Sequence, residues 1–158
     1  MQRDKDLHDW LDRQRKLKQC GLIIKDKGSN LSQSCHEYSC NLASQKNNLL
    51  SIPLKILYIQ TSRTGGAKDI YKDILNTLKR PLNAGGLRDL RKRTIGILQL
   101  NQVQLLIIDD AHLLKRNAMI ELAKIYEDLK IPLTLSGTYD LENRLSTSKG
   151  YEHIRADS

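Results

Sequence analysis

A chain of 158 residues is long enough for one domain with a real core and too short for two ordinary ones. It contains no Phe and a single Trp, so Leu and Ile must fill that core. The net charge of +8 favours a polyanionic partner such as nucleic acid. No apolar run approaches the roughly 18 residues of a membrane span, so a soluble cytoplasmic protein is expected.

Three cysteines form a sparse, odd set and fit reduced thiols. Cys35, His36 and Cys40 do not suggest a metal centre. Cys35 and Cys40 are too far round an expected helix to share a face, and no second ligand pair exists.

Residues 4–19 read as a helix, with Leu7, Trp10, Leu11 and Leu17 near one face. Asp at its start and Arg or Lys at its end complement the helix dipole. The basic end (Arg13, Arg15, Lys16, Lys18) reads as a solvated face. Residues 21–24 are a short apolar strand, followed by the polar loop Lys25-Asp26-Lys27-Gly28-Ser29-Asn30 and a helix from about Ser32 to Ser44. Strand, small-residue loop and helix is the layout that cradles phosphates, because backbone N–H groups and the helix N-terminus point at the anion. The phosphate-loop pattern asks for Gly, four residues, then Gly-Lys-Ser/Thr. Here those positions fall on Lys25, Asn30, Leu31 and Ser32, and only the Ser fits.

A second strand is expected at 54–60, a Thr- and Gly-rich turn at 61–67, and a helix at 68–79 with Ile70, Tyr71, Ile74, Leu75 and Leu78 at helical spacing. Pro81 and Gly85-Gly86 break the chain before a helix at 87–100. Lys79, Arg80, Arg88, Arg91, Lys92 and Arg93 stand against the single acid Asp89 and make the strongest basic cluster. The run Leu-Leu-Ile-Ile within 104–109 suits a strand buried on both faces. It ends in Asp109 and Asp110, at the carboxyl edge where open α/β sheets bind ligands. Two carboxylates there call for a cation, and Mg²⁺ on a nucleotide phosphate is the usual one. A helix at 115–130 is stopped by Pro132, a fourth strand covers 133–136, and Gly137-Thr138 turns into a helix beginning near Asp140. Strands alternate with helices, which predicts a parallel α/β sheet with right-handed crossovers.

Five pieces, in this order and spacing, resemble the TnsC/TniB family of AAA+ ATPases that regulate bacterial DNA transposition. They are Trp10-Leu11-Asp12; the strand–loop–helix of 20–38; Ile56-Leu57-Tyr58-Ile59-Gln60 with Lys68-Asp69-Ile70-Tyr71; the strand 105–112; and Ile131-Pro132-Leu133 ending in Ser136-Gly137-Thr138. The resemblance implies a three-layer P-loop NTPase (AAA+-like) parallel sheet of strand order 5-1-4-3-2. An N-terminal helix (1–19) would precede an incomplete nucleotide-binding core (20–158), since the chain stops before the expected fifth strand and helical lid. It further implies ATP and Mg²⁺ as cofactors, double-stranded DNA, transposase and other transposition proteins as partners, and assembly into oligomers. By position, Gly28, Ser29, Asn30, Leu31, Ser32 and Thr138 would bind nucleotide, Asp109 and Ser32 would hold the metal, and Asp110 would be catalytic. Lys79, Arg80, Arg88, Arg91, Lys92 and Arg93 would meet DNA.

The chain departs from the family where the chemistry is concentrated. Leu31 replaces the phosphate-loop lysine, a loss of about a few kcal/mol by the size of charge-assisted hydrogen bonds. Asp110 replaces a Glu and is one methylene shorter, so the carboxylate falls roughly 1 Å short, a misplacement that can cost about 100-fold in rate. The reading is therefore a transposition regulator with a degenerate ATP site and impaired or absent hydrolysis. Two alternatives stand beside it: a slow ATP-dependent switch in which Lys25 or Lys27 supplies the missing charge, and a non-enzymatic subunit or remnant that modulates a full-length relative. Arg144 and Arg155 are the weakly placed candidates for an arginine acting in trans.

Overall fold

The computed structural model describes residues 2–26, 29–44, 56–80 and 85–147, the side chains of 2–4, 41–44 and 144–147 excepted. Lys27, Gly28, Pro81, Arg155 and the Arg144 side chain lie outside the described residues. The elements run α1 (Gln2–Leu17), β1 (Gly21–Ile24), α2 (Leu31–Ser44), β2 (Ile56–Gln60), α3 (Ala67–Thr77), α4 (Leu87–Leu100), β3 (Leu105–Asp109), a 3-10 turn (Ala111–Leu113), α5 (Arg116–Leu129), β4 (Leu133–Gly137) and α6 (Tyr139–Thr147). Every expected element is present, and the 3-10 turn after β3 is an addition.

The described strands form one parallel sheet in the order β1-β4-β3-β2. This is the expected order 5-1-4-3-2 without its first member. β3 lies in the interior and all five of its residues are buried, which is why its sequence is an unbroken apolar run.

Side chains alternate across the sheet and sort the core into two layers. Ile56, Leu105 and Ile107 pack with Leu11, Cys35 and Tyr38, so α1 and α2 cover one face. Leu57, Ile59, Leu106 and Ile108 pack with Ile70, Tyr71, Ile74, Leu90, Met119 and Leu122, so α3, α4 and α5 cover the other. The same parity decides where the end of β3 points. Asp109 is two residues beyond Ile107, so its carboxylate emerges on the α2 side, above the start of that helix. Gly21 lets α1 close on β1: a Cβ there would stand 2.4 Å from the Trp10 ring.

Cys35 is buried and desolvation pushes its thiol up to about 12, whereas Cys40 is exposed. Among the described residues no group of three or more His, Cys, Asp and Glu side chains is arranged to hold a metal. No described helix is long and apolar enough to cross a membrane.

Candidate nucleotide site

The carboxyl ends of β1, β3 and β4 and the start of α2 enclose the candidate site. The Lys25 backbone N–H donates to the Gly137 carbonyl at 2.8 Å, extending the β1–β4 ladder by one step and fixing where the Lys25 stem begins. From there Lys25 Nζ donates to Ser32 Oγ at 2.8 Å, to Asp109 Oδ1 at 2.6 Å and to Asp110 Oδ1 at 3.1 Å. Ser32 sits in the first turn of α2, a turn with no acidic side chain of its own, so the positive end of the helix dipole meets the Asp109 carboxylate and no acid of the helix itself. Ser29 and Asn30 lead into the helix and are exposed, and Leu31 opens it half-buried.

Asp109 is the most enclosed member, its side chain 2% exposed. Its Oδ1 also accepts the Asp110 N–H at 2.8 Å, and its Oδ2 accepts a short hydrogen bond from the Tyr58 hydroxyl. Its carbonyl accepts from Thr61 Oγ1 at 2.7 Å, which ties the turn after β2 to the end of β3. Burial disfavours the Asp109 charge, but the donors Lys25, Ser32, Tyr58 and the Asp110 N–H outweigh it and hold the carboxyl below its ordinary range. Lys25 mirrors this: desolvation opposes its ammonium, and Asp109 and Asp110 together overcome it and raise its pKa. Burial sets the Tyr58 phenol high, and the neighbouring Asp109 carboxylate raises it further.

Asp110 follows in the left-handed region (φ 52°, ψ 38°), an uncommon conformation for a residue with a side chain. It turns the chain out of β3, and its Oδ2 accepts from Gln60 Nε2 at 3.1 Å. Across the site, the Thr138 N–H approaches His112 Nδ1 at 3.4 Å, and His112 lies so close to Gly137 that a Cβ there would stand 3.1 Å from Nδ1. Tyr139, largely exposed, donates to Asp26 Oδ1 at 3.2 Å and links α6 to the loop after β1.

Ser32, Asp109, Asp110 and Thr138 are thus carried to one end of the sheet, as their positions in the sequence suggested. Lys25 also enters the site, and it arrives on the acids. Its ammonium lies between Ser32 and Asp109, the place where the metal was expected. These oxygens are hard donors suited to Mg²⁺, which needs them at about 2.0–2.1 Å. The Lys25 Nζ takes the point that Ser32 Oγ, Asp109 Oδ1 and Asp110 Oδ1 share, so the donor set fits Mg²⁺ at that point only after the ammonium has moved. In the sequence Tyr58, Gln60 and His112 stand only among the pieces that carry the family resemblance and not as site residues. Tyr58 could have been found from strand parity, because it stands two residues before Gln60, the register partner of Asp109.

The basic cluster divides. Lys79, Arg80, Arg88 and Lys92 are exposed. Arg91 turns inward and clamps Glu121 on α5, with Nε to Oε2 at 2.7 Å and Nη2 to Oε1 at 2.6 Å. The Arg91 guanidinium thereby joins α4 to α5. Arg93 is half-buried and has interactions within the fold.

A parallel sheet flanked by helices on both faces, with a loop-to-helix turn facing acids at the end of the central strand, defines an α/β domain of the P-loop NTPase type. Residues 8–145 match the family of AAA domains, and the chain belongs to that family. Among solved structures it is similar to the Aeropyrum pernix ORC2 protein, whose structure was determined as ADPNP–ADP complexes. That similarity has a TM-score of 0.66 and 12% identity, over 98% of this chain and 46% of the other. The chain therefore spans a little under half of that protein, and at this identity the likeness is one of fold. No curated protein matches the sequence.

Proposed function

We propose that this AAA domain is a nucleotide-responsive regulator of DNA transposition of the TnsC/TniB kind, with impaired hydrolysis. The observation that carries this reading is the Lys25 ammonium seated between Ser32 Oγ, Asp109 Oδ1 and Asp110 Oδ1. A fold that serves phosphate binding is kept, while both acids needed for metal-assisted hydrolysis are engaged by the protein itself. When bound, Mg²⁺ would be held by Ser32 and Asp109 and would neutralise phosphate charge. The chain's own contribution is the helix α2 N-terminus, the Lys25 charge and the Thr138 hydroxyl around the phosphates, with ATP as the nucleotide. Asp110 would orient water poorly, because its carboxylate is short and is held by Lys25 and Gln60.

In this reading the exposed cations Lys79, Arg80, Arg88 and Lys92 contact the backbone of duplex DNA, with α1 as an appended helix on the nucleotide-binding core. Transposase, other transposition proteins and further copies of the chain are its partners. Fluorescence anisotropy on labelled duplex, with and without ATP at two salt concentrations, tests the reading. Binding that weakens with salt, shows little sequence preference and persists without ATP is expected. Absence of DNA binding at low salt would end it.

A second reading, a slow ATP-dependent switch, is favoured by the 2.8 Å contact of Lys25 Nζ with the Ser32 hydroxyl, which keeps a positive charge beside the expected phosphate position. Phosphate release that is slow in the native chain and absent in Asp110→Asn distinguishes it.

A further inference from the structure

Asp109 and Asp110 present four carboxylate oxygens, and each has a donor from the chain. Asp109 Oδ1 accepts from Lys25 Nζ and the Asp110 N–H, and Asp109 Oδ2 from Tyr58. Asp110 Oδ1 accepts from Lys25 Nζ, and Asp110 Oδ2 from Gln60. The Lys25 side chain is only 13% exposed, so its ammonium is enclosed with the acids and is not waving in solvent. With the ammonium present the cluster carries one net negative charge. Without it, two carboxylates and the Ser32 hydroxyl face a single point, a donor set for a hard divalent cation.

We propose that Lys25 is a built-in counter-cation that masks a divalent metal site. While its ammonium rests on Asp109 and Asp110, free Mg²⁺ or Mn²⁺ does not bind. Metal enters only together with a nucleotide phosphate, which draws the ammonium away. The second half rests on the reading that the site takes nucleotide; the masking itself does not.

The exchange is chemically matched. The Lys25 main chain is anchored to Gly137, so only the four-carbon stem has to swing, and a phosphate oxygen offers the ammonium a charge-assisted hydrogen bond in place of the carboxylates. A phosphate settling at the start of α2 would stand close to Ser32, within the same cluster. The carboxylates vacated by the ammonium then face the cation that accompanies the nucleotide. A lysine on α2 at position 31 could not play this part, because position 31 carries Leu.

The test is Mn²⁺ titration of the native chain and of Lys25→Met, followed by electron paramagnetic resonance of free Mn²⁺, first without nucleotide and then with ADP. The native chain is expected to bind no Mn²⁺ alone and to bind it once ADP is added. Lys25→Met is expected to gain a Mn²⁺ site without nucleotide, and Lys25→Met with Asp109→Asn to lose it again. Mn²⁺ binding by the native chain alone, removed by Asp109→Asn, overturns the proposal and needs no lysine variant to be folded. Lys25→Met that melts cooperatively yet gains no Mn²⁺ site also overturns it. If Lys25→Met gains the site but ADP brings no Mn²⁺ to the native chain, masking stands and the nucleotide reading fails.

Discussion

Arg91 and Lys92 are neighbours in sequence, both cations in the same basic run, and they should behave oppositely when neutralised. Glu121 lies on the buried side of α5 at 4% exposure and holds its charge only because donors surround it. Burial opposes that charge, but Arg91 and Tyr71 outweigh it and keep the carboxyl below its ordinary range. Arg91 supplies two bonds of 2.7 and 2.6 Å, the Tyr71 hydroxyl a third at 2.5 Å, and Lys124 stands farther off at 3.6 Å. Breaking a buried pair by removing one partner costs about 3–5 kcal/mol. The Arg91 side chain is 29% exposed and Lys124 remains nearby, so Arg91→Gln is expected to cost about 2–3 kcal/mol. Lys92 is exposed, so Lys92→Gln should stay within about 0.5 kcal/mol of the native chain. Urea melts at neutral pH measure both, and duplex anisotropy over a salt series supplies the second axis. Lys92→Gln is expected to lower the salt slope by about one phosphate contact without changing the melt, while Arg91→Gln leaves the slope unchanged. An Arg91→Gln variant with native stability, or one that loses DNA affinity in step with Lys92→Gln, would refute the assignment of Arg91 to the fold.

Lys25→Met leaves Asp109 buried without its closest cation and should cost about 2–4 kcal/mol in urea melts, with Asp109→Asn in the same chain recovering part of it. Gly65→Ala should destabilise by more than about 2 kcal/mol, because φ is +54° and the new Cβ would stand 2.1 Å from the Leu113 carbonyl oxygen, a backbone atom held in the turn that follows Asp110. Thermal melts over a pH series should fall on the acid side. Asp109 and Glu121 have folded pKa values depressed below their ordinary 3.8 and 4.5, so their stabilisation is present above those values and is lost as pH falls through the folded ones. Lys25 contributes the opposite limb: its raised pKa gives stabilisation that is complete below the ordinary 10.5 and lost as pH rises through the folded value. A melting temperature that holds constant into strong acid would contradict these assignments.

The architecture was legible in the sequence because its signals are local. The apolar run of β3 called for burial on both faces, the spacing of Ile70, Tyr71, Ile74 and Leu75 called for a helix, and Pro132 with Gly137 marked where elements stop. The order of these pieces was enough to expect a parallel sheet and an AAA-type core, and the placement of Ser32, Asp109 and Thr138 at one end of it follows from strand direction alone. The partners of those residues were not legible. Lys25 and Asp109 are 84 positions apart, and only the side-by-side packing of β1, β4 and β3 decides that an ammonium from one strand end reaches carboxylates from another. Likewise Arg91 and Lys92 read alike as charges, and they part only when α4 packs on α5 and turns one toward Glu121 and the other toward water. Periodicity and termination are properties of neighbouring residues, so the chain itself determined its elements and their order. Which charges meet depends on distances across the core, and those were set by tertiary packing.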